Sequence, residues 1–168
     1  NLAKKKDLKD WGGLGLAIQA YGKRAPIVVR FIDELGSNRN GMMMRLVKGA
    51  YWDQEVKIHQ VKGAKDLPVY TSKSFTDLNY LATAKVISET KNLRPYFATH
   101  NAHTIAGIME LYKGREDEFE FQRIFGMGDL TYRNAEKVYD QFPLTRVYAP
   151  VGSKKELLPY LVRRLLEN

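Results

Sequence analysis

A parallel α/β fold, and within it most of a (βα)8 barrel of the TIM type, is what this sequence of 168 residues predicts. Three observations carry that reading. Short apolar, β-branched or aromatic runs recur about every 25 residues, the length of one strand plus one crossover helix. The segments between them place apolar residues three and four apart, as an amphipathic helix does. Polar side chains gather where each run ends, and in a parallel barrel those carboxyl ends open on one face, where ligand sites are built.

The runs predict six strands, at 14–19, 43–47, 68–70, 96–99, 119–122 and 145–148. Helices are expected at 56–61, at 78–88 with Asp77 as a possible N-cap, at 104–112 and at 157–166. A doubly wound sheet accepts six strands, whereas a closed ring needs eight. Scaling six strands in this length to eight predicts about 224 residues, close to the barrel norm of about 250. The chain therefore reads as a single domain over 1–168, the carboxyl-terminal three quarters of a barrel. On this count it holds strands 3 to 8 and a closing helix, and lacks the first two βα units.

Composition narrows the class. The absence of Cys excludes a disulfide scaffold and a thiolate metal site, and the apolar and charged fractions suit a globular domain. The longest apolar run, 14–18, is interrupted by Gly15, far short of the roughly 20 residues of a membrane-spanning helix. The opening Asn1-Leu-Ala-Lys-Lys-Lys-Asp7 has no apolar core after its charges and no initiator Met, so it reads as an excised piece of a cytoplasmic chain, not a secretory signal. With 27 Lys plus Arg against 19 Asp plus Glu, the net charge of +8 favours anionic partners. The basic residues are scattered, without an aromatic-interleaved stripe, which argues against a nucleic-acid module.

Chemistry concentrates at the strand ends. In Arg45-Leu-Val-Lys-Gly-Ala-Tyr-Trp52 two cations lie three residues apart where a strand runs into Gly49 and Ala50. Strand alternation sets Arg45 on one face with Val47, pointing into the ring. An Arg inside an apolar barrel is costly unless an anion or acceptor meets it. An inter-strand salt bridge is the bland alternative, but no Asp or Glu ends another strand, so Arg45 asks for a ligand. Lys48 at a strand end also suits a Schiff-base nucleophile of an aldolase-type lyase. Thr99-His100-Asn101-Ala-His103 offers an H-x-x-H, yet the third histidine, His59, falls in a helical segment, so a hydrogen-bonding His and Asn are expected instead of a metal site. Neither Gly12-Gly-Leu-Gly15 nor Gly126-Met-Gly128 completes a dinucleotide fingerprint, and no phosphate-binding loop is present. On the last helix Leu157, Leu158, Leu161, Val162, Leu165 and Leu166 fill one half of the wheel, and Tyr160, Arg163, Arg164 and Glu167 gather on the other. That polar side is either a solvated face with an Arg163 to Glu167 pair or a two-Arg clamp for a carboxylate. The choice depends on whether the helix lies beside the barrel or across its mouth.

Gln19-Ala-Tyr, Arg45 to Asp53, Tyr70-Thr-Ser-Lys73, Phe97-Ala-Thr-His-Asn101, Phe119-Glu-Phe-Gln122, Tyr148-Ala-Pro-Val-Gly152 and Tyr160 to Glu167 together resemble the proline dehydrogenase domain, especially that of bacterial PutA-type bifunctional enzymes. The resemblance implies a flavoprotein (βα)8 barrel that oxidises L-proline to Δ1-pyrroline-5-carboxylate, reducing FAD and then a quinone. It implies that Arg45 hydrogen-bonds the flavin near N5, and that Gln19, Lys48, Gly49, Ala50, Trp52, Thr71, Lys73, Thr99, His100, Asn101, Gln122 and Glu167 stand on the cofactor side. Arg163 and Arg164 would grip the proline carboxylate, Tyr148 would cover the ring and Ile124 would add an apolar wall. The family's last helix covers the barrel mouth, which favours the clamp. The resemblance further implies a cytoplasmic parent chain, peripheral at the inner membrane, with an aldehyde dehydrogenase module and no nucleic-acid contact through this region. A family Asp near the flavin and a Lys of the carboxylate clamp have no counterpart before Leu14, so an inactive fragment is the alternative to a working enzyme.

Overall fold

The structure is a computed structural model and describes residues 5–168, so the first four positions of the opening segment lie outside the described residues. After a 3-10 turn at Lys6–Leu8, the chain alternates strands β1 (Gly15–Gln19), β2 (Met42–Val47), β3 (Leu93–Ala98), β4 (Glu120–Ile124) and β5 (Thr145–Tyr148) with helices. The helices are α1 (Ala25–Gly36), α2 (Trp52–Val61), α3 (Lys73–Ser88), α4 (Ala102–Leu111), α5 (Asp129–Val138) and α6 (Lys154–Glu167). The strands form one parallel sheet in the order β1-β2-β3-β4-β5. The parallel α/β class is thus as expected, but the sheet is open and holds five strands.

The missing sixth strand has a clear cause. Leu93 pairs beside Met42 and Tyr96 beside Arg45, so β3 takes the edge of β2 that 68–70 would have needed. That short segment pairs antiparallel with the loop after β1 instead: Val69 bridges Gly22, Lys23 N–H donates to Pro68 O at 2.9 Å and Tyr70 N–H to Tyr21 O at 2.8 Å. Two helices, α2 and α3, consequently lie between β2 and β3.

Alternation within the strands divides the sheet into two faces. Met42, Met44 and Leu46 of β2, Phe97 of β3 and Phe121 of β4 are buried and pack with Val29 and Ile32 of α1, Tyr80 and Ala84 of α3 and Ile105 and Ile108 of α4. Aromatic rings extend this core toward α5, with Tyr112 and Phe119 centroids 4.7 Å apart and Phe119 edge-on to Phe121 at 5.3 Å. Sequential parallel strands joined by right-handed crossovers carry their helices on one side, and α1, α3, α4 and α5 pack in that order. The opposite face carries Arg45, Tyr96, Glu120, Gln122 and Arg146, which line a cavity of about 550 Å³. Its floor is an ion pair between strands: Glu120, 3% exposed, accepts from Arg146 Nε at 2.8 Å and Nη2 at 2.9 Å. Among the described residues no helix is long and apolar enough to cross a membrane.

Met44 is fully enclosed at the centre of the core, so Met44→Ala should cost about 2–5 kcal/mol through lost burial and the cavity left behind. Denaturant unfolding measures it, and a loss below about 1 kcal/mol would contradict this packing.

Candidate active site

The strands deliver their polar ends to one side, where α6 lies across them. Glu156 accepts from Ser153 N–H at 3.1 Å and Ser153 Oγ at 2.8 Å and so starts this helix. Its wheel is mounted in an unusual sense. Tyr160, Arg163, Arg164 and Glu167 face the sheet, while Leu158, Val162, Leu165 and Leu166 are exposed. The helix is held at its carboxyl end. Glu167 Oε1 accepts from Gly49 N–H at 2.9 Å and its Oε2 from Arg164 Nη1 at 3.0 Å. Asn168 Oδ1 accepts from His100 N–H at 2.9 Å and Thr99 Oγ1 at 3.3 Å, and its backbone oxygen accepts from Asn101 Nδ2 at 3.2 Å. The ion pair of Glu167 is therefore with Arg164, three residues back, and not with Arg163 as the i,i+4 spacing suggested.

Gly49 makes this seat possible. Its φ is +110°, and a Cβ there would run into the Tyr21 ring. Beside it lies a cavity of about 560 Å³ between the β2–α2 turn, the start of α3 and α6. Of the expected residues, Lys48, Gly49, Ala50 and Trp52 line one side, Thr71 and Lys73 another, and Arg163 and Glu167 the roof. Trp52 Nε1 donates to Tyr70 O at 2.6 Å, tying two of these walls together.

Three guanidinium groups at this end of the sheet lie over aromatic rings. Arg45 lies over Tyr148 at 4.9 Å, Arg163 and Arg164 each over Tyr51 at 5.4 Å, and Arg164 over Tyr160 at 4.7 Å. Burial and then the neighbouring Tyr148 raise the Tyr160 hydroxyl above its ordinary value. Among the described residues Arg45 has no ion pair, so the salt-bridge alternative is not realised; Arg146 takes that part, on Glu120. The Nε atoms of Arg45, Arg163 and Arg164, Gln19 Oε1 and His100 Nδ1 are buried without a hydrogen-bond partner. A polar ligand with both donors and acceptors is the group such orphaned atoms fit.

Lys48 follows the alternation to the other face and reaches α3, where its Nζ lies 2.7 Å from Asp77 Oδ1. The contact is an ion pair without hydrogen-bond alignment. Burial lowers the ammonium's pKa and Asp77 opposes that shift. A Schiff-base nucleophile needs a free amine; burial moves Lys48 toward that form, while the Asp77 carboxylate in contact with it opposes the shift. Asp77 itself is not an N-cap: α3 begins four residues earlier, with Ser72 at the N-cap position.

His100 accepts from Ile124 N–H through Nε2 at 3.0 Å, which puts the ring proton of the neutral form on Nδ1. Burial first, then Arg123 and Arg45, lower its pKa from 6.5 to about 4. Asn101 caps α4, its side chain accepting from Thr104 N–H at 3.0 Å, and Thr99 is buried beneath. Ile124 is fully buried at the end of β4, next to Tyr148 in the register. Gln122, on the opposite face with Arg45, donates to Glu120 Oε1 at 3.0 Å. His59 sits apart on α2, its Nδ1 2.8 Å from Glu55 O.

Four contributors escaped the sequence reading: Tyr21, Tyr51, Asp77 and Asn168. Tyr51 stands between the Arg45-to-Ala50 segment and Trp52, and paired guanidinium groups lacking a carboxylate each are a signal for such a ring. The Lys73-to-Asp77 spacing of four was a signal for Asp77. Asn168 carries none.

Fold and site together define a parallel α/β protein with unpartnered polar atoms gathered at the carboxyl ends of its strands, under a cationic helix. The chain belongs to the proline dehydrogenase family, whose model matches residues 1–168. The Bifunctional protein PutA of Salmonella typhimurium is 48% identical over 172 residues, covering 96% of this chain and 13% of that protein. Proline dehydrogenase 1, mitochondrial, of Dictyostelium discoideum is 31% identical over 134 residues, covering 74% of this chain and 23% of its own length. Among solved structures, Bradyrhizobium japonicum Proline Utilization A, mutant D778Y, superposes with a TM-score of 0.87 at 49% identity, over 99% of this chain and 17% of that one. The chain thus spans about an eighth of the length of the PutA relative from Salmonella.

Two outcomes test the site. Because Leu165 points outward, Leu165→Ser should change stability by less than about 0.5 kcal/mol, whereas Glu167→Ala strands Arg164 and frees Gly49, costing about 3–5 kcal/mol. Equal losses from both in denaturant unfolding would reverse the mounting of α6. The imidazole of His100, followed by NMR, should titrate near pH 4. With its pKa depressed in the fold, its contribution to stability is present above the ordinary value of 6.5 and is lost as pH falls toward 4. A midpoint at 6.5 would contradict its burial.

Proposed function

We propose that this chain supplies the active-site arc of an FAD-dependent proline dehydrogenase that oxidises L-proline to Δ1-pyrroline-5-carboxylate, the first step of proline catabolism. The observation that carries this reading is that Arg45, Arg163 and Arg164 each lie over a tyrosine ring with a buried Nε lacking a protein partner. Family membership supplies the substrate class.

The barrel belongs to the same proposal. Five consecutive parallel strands with helices on one side are an arc of a (βα)8 ring, and a doubly wound sheet would carry helices on both sides. With 68–70 outside the sheet, five strands leave three of eight βα units to be supplied elsewhere, one more than the sequence suggested. The open edges of β1 and β5 suit that closure, because unpaired strand edges are a liability in a finished fold.

Bound FAD supplies the acceptor for the hydride that leaves the carbon next to the proline nitrogen. Arg163 and Arg164 hold the substrate carboxylate, each guanidinium offering two parallel donors to a planar anion. Tyr148 would cover the ring and Ile124 would close an apolar side, orienting the reacting carbon toward its acceptor. Arg45 stabilises negative charge developing beside it, with little water to compete. On the cofactor side Lys48, Gly49, Ala50, Trp52, Thr71, Lys73 and Glu167 line the cavity at the β2–α2 turn, and Gln19, Thr99, His100, Asn101 and Gln122 stand at the strand ends beside it. Gln19 Oε1 and His100 Nδ1 are an unused acceptor and an unused donor, the complement a flavin ring system with both kinds of edge requires.

The electrons pass onward to a quinone. The parent protein is cytoplasmic and meets the inner membrane peripherally, and an aldehyde dehydrogenase module lies in the same chain. The name Bifunctional protein PutA, carried by relatives far longer than this chain, supports a parent with a second activity.

Replacing both Arg163 and Arg164 by Ala in the intact protein should raise the KM for proline on the order of a hundredfold or more, since truncating one partner of a desolvated charge pair costs about 2–5 kcal/mol. Proline-dependent dye reduction measures it. An unchanged KM would refute the carboxylate clamp.

A further inference from the structure

Resting on the reading of this site as an FAD site, we propose that Asp77 is a positioning residue that keeps Lys48 charged and in place in the cavity wall, although Asp77 itself does not line the cavity. Lys48 is 1% exposed at the end of β2, and its Nζ is 2.7 Å from Asp77 Oδ1 on α3. Lys73, one turn earlier on α3, reaches Asp77 Oδ2 at 2.9 Å. One carboxylate therefore gathers two ammonium groups that line the same cavity.

Charge balance gives the arrangement its meaning. A buried ammonium without a partner sheds its proton or moves to water. The groups near Lys48 are few: Tyr21 after β1, Asp77 and Lys73 on α3, and Glu167 and Arg163 on α6, while Asp53 and Glu55 stand on α2 nearby. Glu167 is already taken by Gly49 and Arg164. Lys73 opposes the charge on Lys48, and so does its burial. Asp77 is the carboxylate in direct contact, and it holds Lys48 in the cavity wall below the Gly49 turn, where the retained positive charge favours an anionic part of a ligand.

The test uses the intact protein as wild type, Asp77→Asn, Asp77→Glu, Lys48→Met and the Asp77→Asn/Lys48→Met pair. FAD affinity is titrated from pH 6 to pH 10, roughly the span over which a depressed lysine loses its proton. The Asp77→Asn protein should weaken in FAD affinity at lower pH than wild type, by about tenfold per pH unit above the new midpoint. Asp77→Glu should restore the wild-type profile, and the shift should vanish when Lys48 is Met. Thermal unfolding without FAD should show the same coupling: Asp77→Asn lowers Tm in the Lys48 protein more than in the Lys48→Met protein. A wild-type pH profile in Asp77→Asn, or a uniform loss at every pH that persists with Lys48→Met, would overturn the proposal. Wild-type protein that takes up no FAD would sink the site reading and this proposal with it, and the first titration distinguishes that failure from the others.

Discussion

The seating of the last helix depends on the carboxylate of Glu167. A helix with six aliphatic residues on one half would ordinarily bury that half, yet four of them in α6, Leu158, Val162, Leu165 and Leu166, are exposed, while Tyr160, Arg163, Arg164 and Glu167 are half-buried. What offsets the exposed leucines is a set of charge-assisted and backbone hydrogen bonds concentrated in its last turn. Glu167 is shared between Gly49 N–H and Arg164, and Asn168 is bonded to the turn after β3. Gly49 admits this seat only because its backbone adopts a conformation in which a side chain would strike Tyr21. Sequence, turn and helix orientation thus form one chain of causes: a glycine at the end of a strand lets a carboxylate dock, and the docked carboxylate sets two arginines over the strand ends.

The electrostatics of the site follow from which charges are already spoken for. The carboxylates in contact with it, Asp77, Glu120 and Glu167, are each engaged by Lys48 and Lys73, by Arg146, and by Arg164. Burial would raise the Asp77 and Glu120 carboxyls, yet their cationic partners hold both below the usual range. What remains unpaired is positive: the Nε groups of Arg45, Arg163 and Arg164, steadied by Tyr148 and Tyr51. Rings hold these cations without neutralising them, so the attraction for an anion is kept. A site built this way is poor at holding cations and well suited to a carboxylate.

Much of this was legible in the residues. Strand alternation placed Arg45 opposite Met44 and Leu46, and the helical wheel separated Arg163 and Arg164 from the leucines. Other features were hidden because long-range pairing decides them. The 68–70 segment has the look of a strand, but the β2 edge it needed is occupied by β3, and a three-residue run cannot compete with five paired positions. Helices α1 and α5 fall between predicted strands, where helical segments are expected, without being among the examples singled out: α1 begins at Ala25-Pro26 and carries Ile27, Val28, Val29 and Ile32, a β-branched run of strand-like composition, of which Val29 and Ile32 are buried in the core. Asp77 read as a cap because its side-chain type favours caps, and only the fold brings Lys48 to it. The sense in which α6 is mounted could not be read from its wheel, which is the same whichever half is buried.

The most direct measurement of the central claim is a crystal structure of the intact protein with a non-oxidisable proline analogue bearing a free carboxylate. That carboxylate is expected within hydrogen-bond distance of both Arg163 and Arg164, beneath α6, with its ring against Tyr148. An analogue bound elsewhere, or α6 turned so that its leucines face the strand ends and both arginines reach solvent, would contradict it.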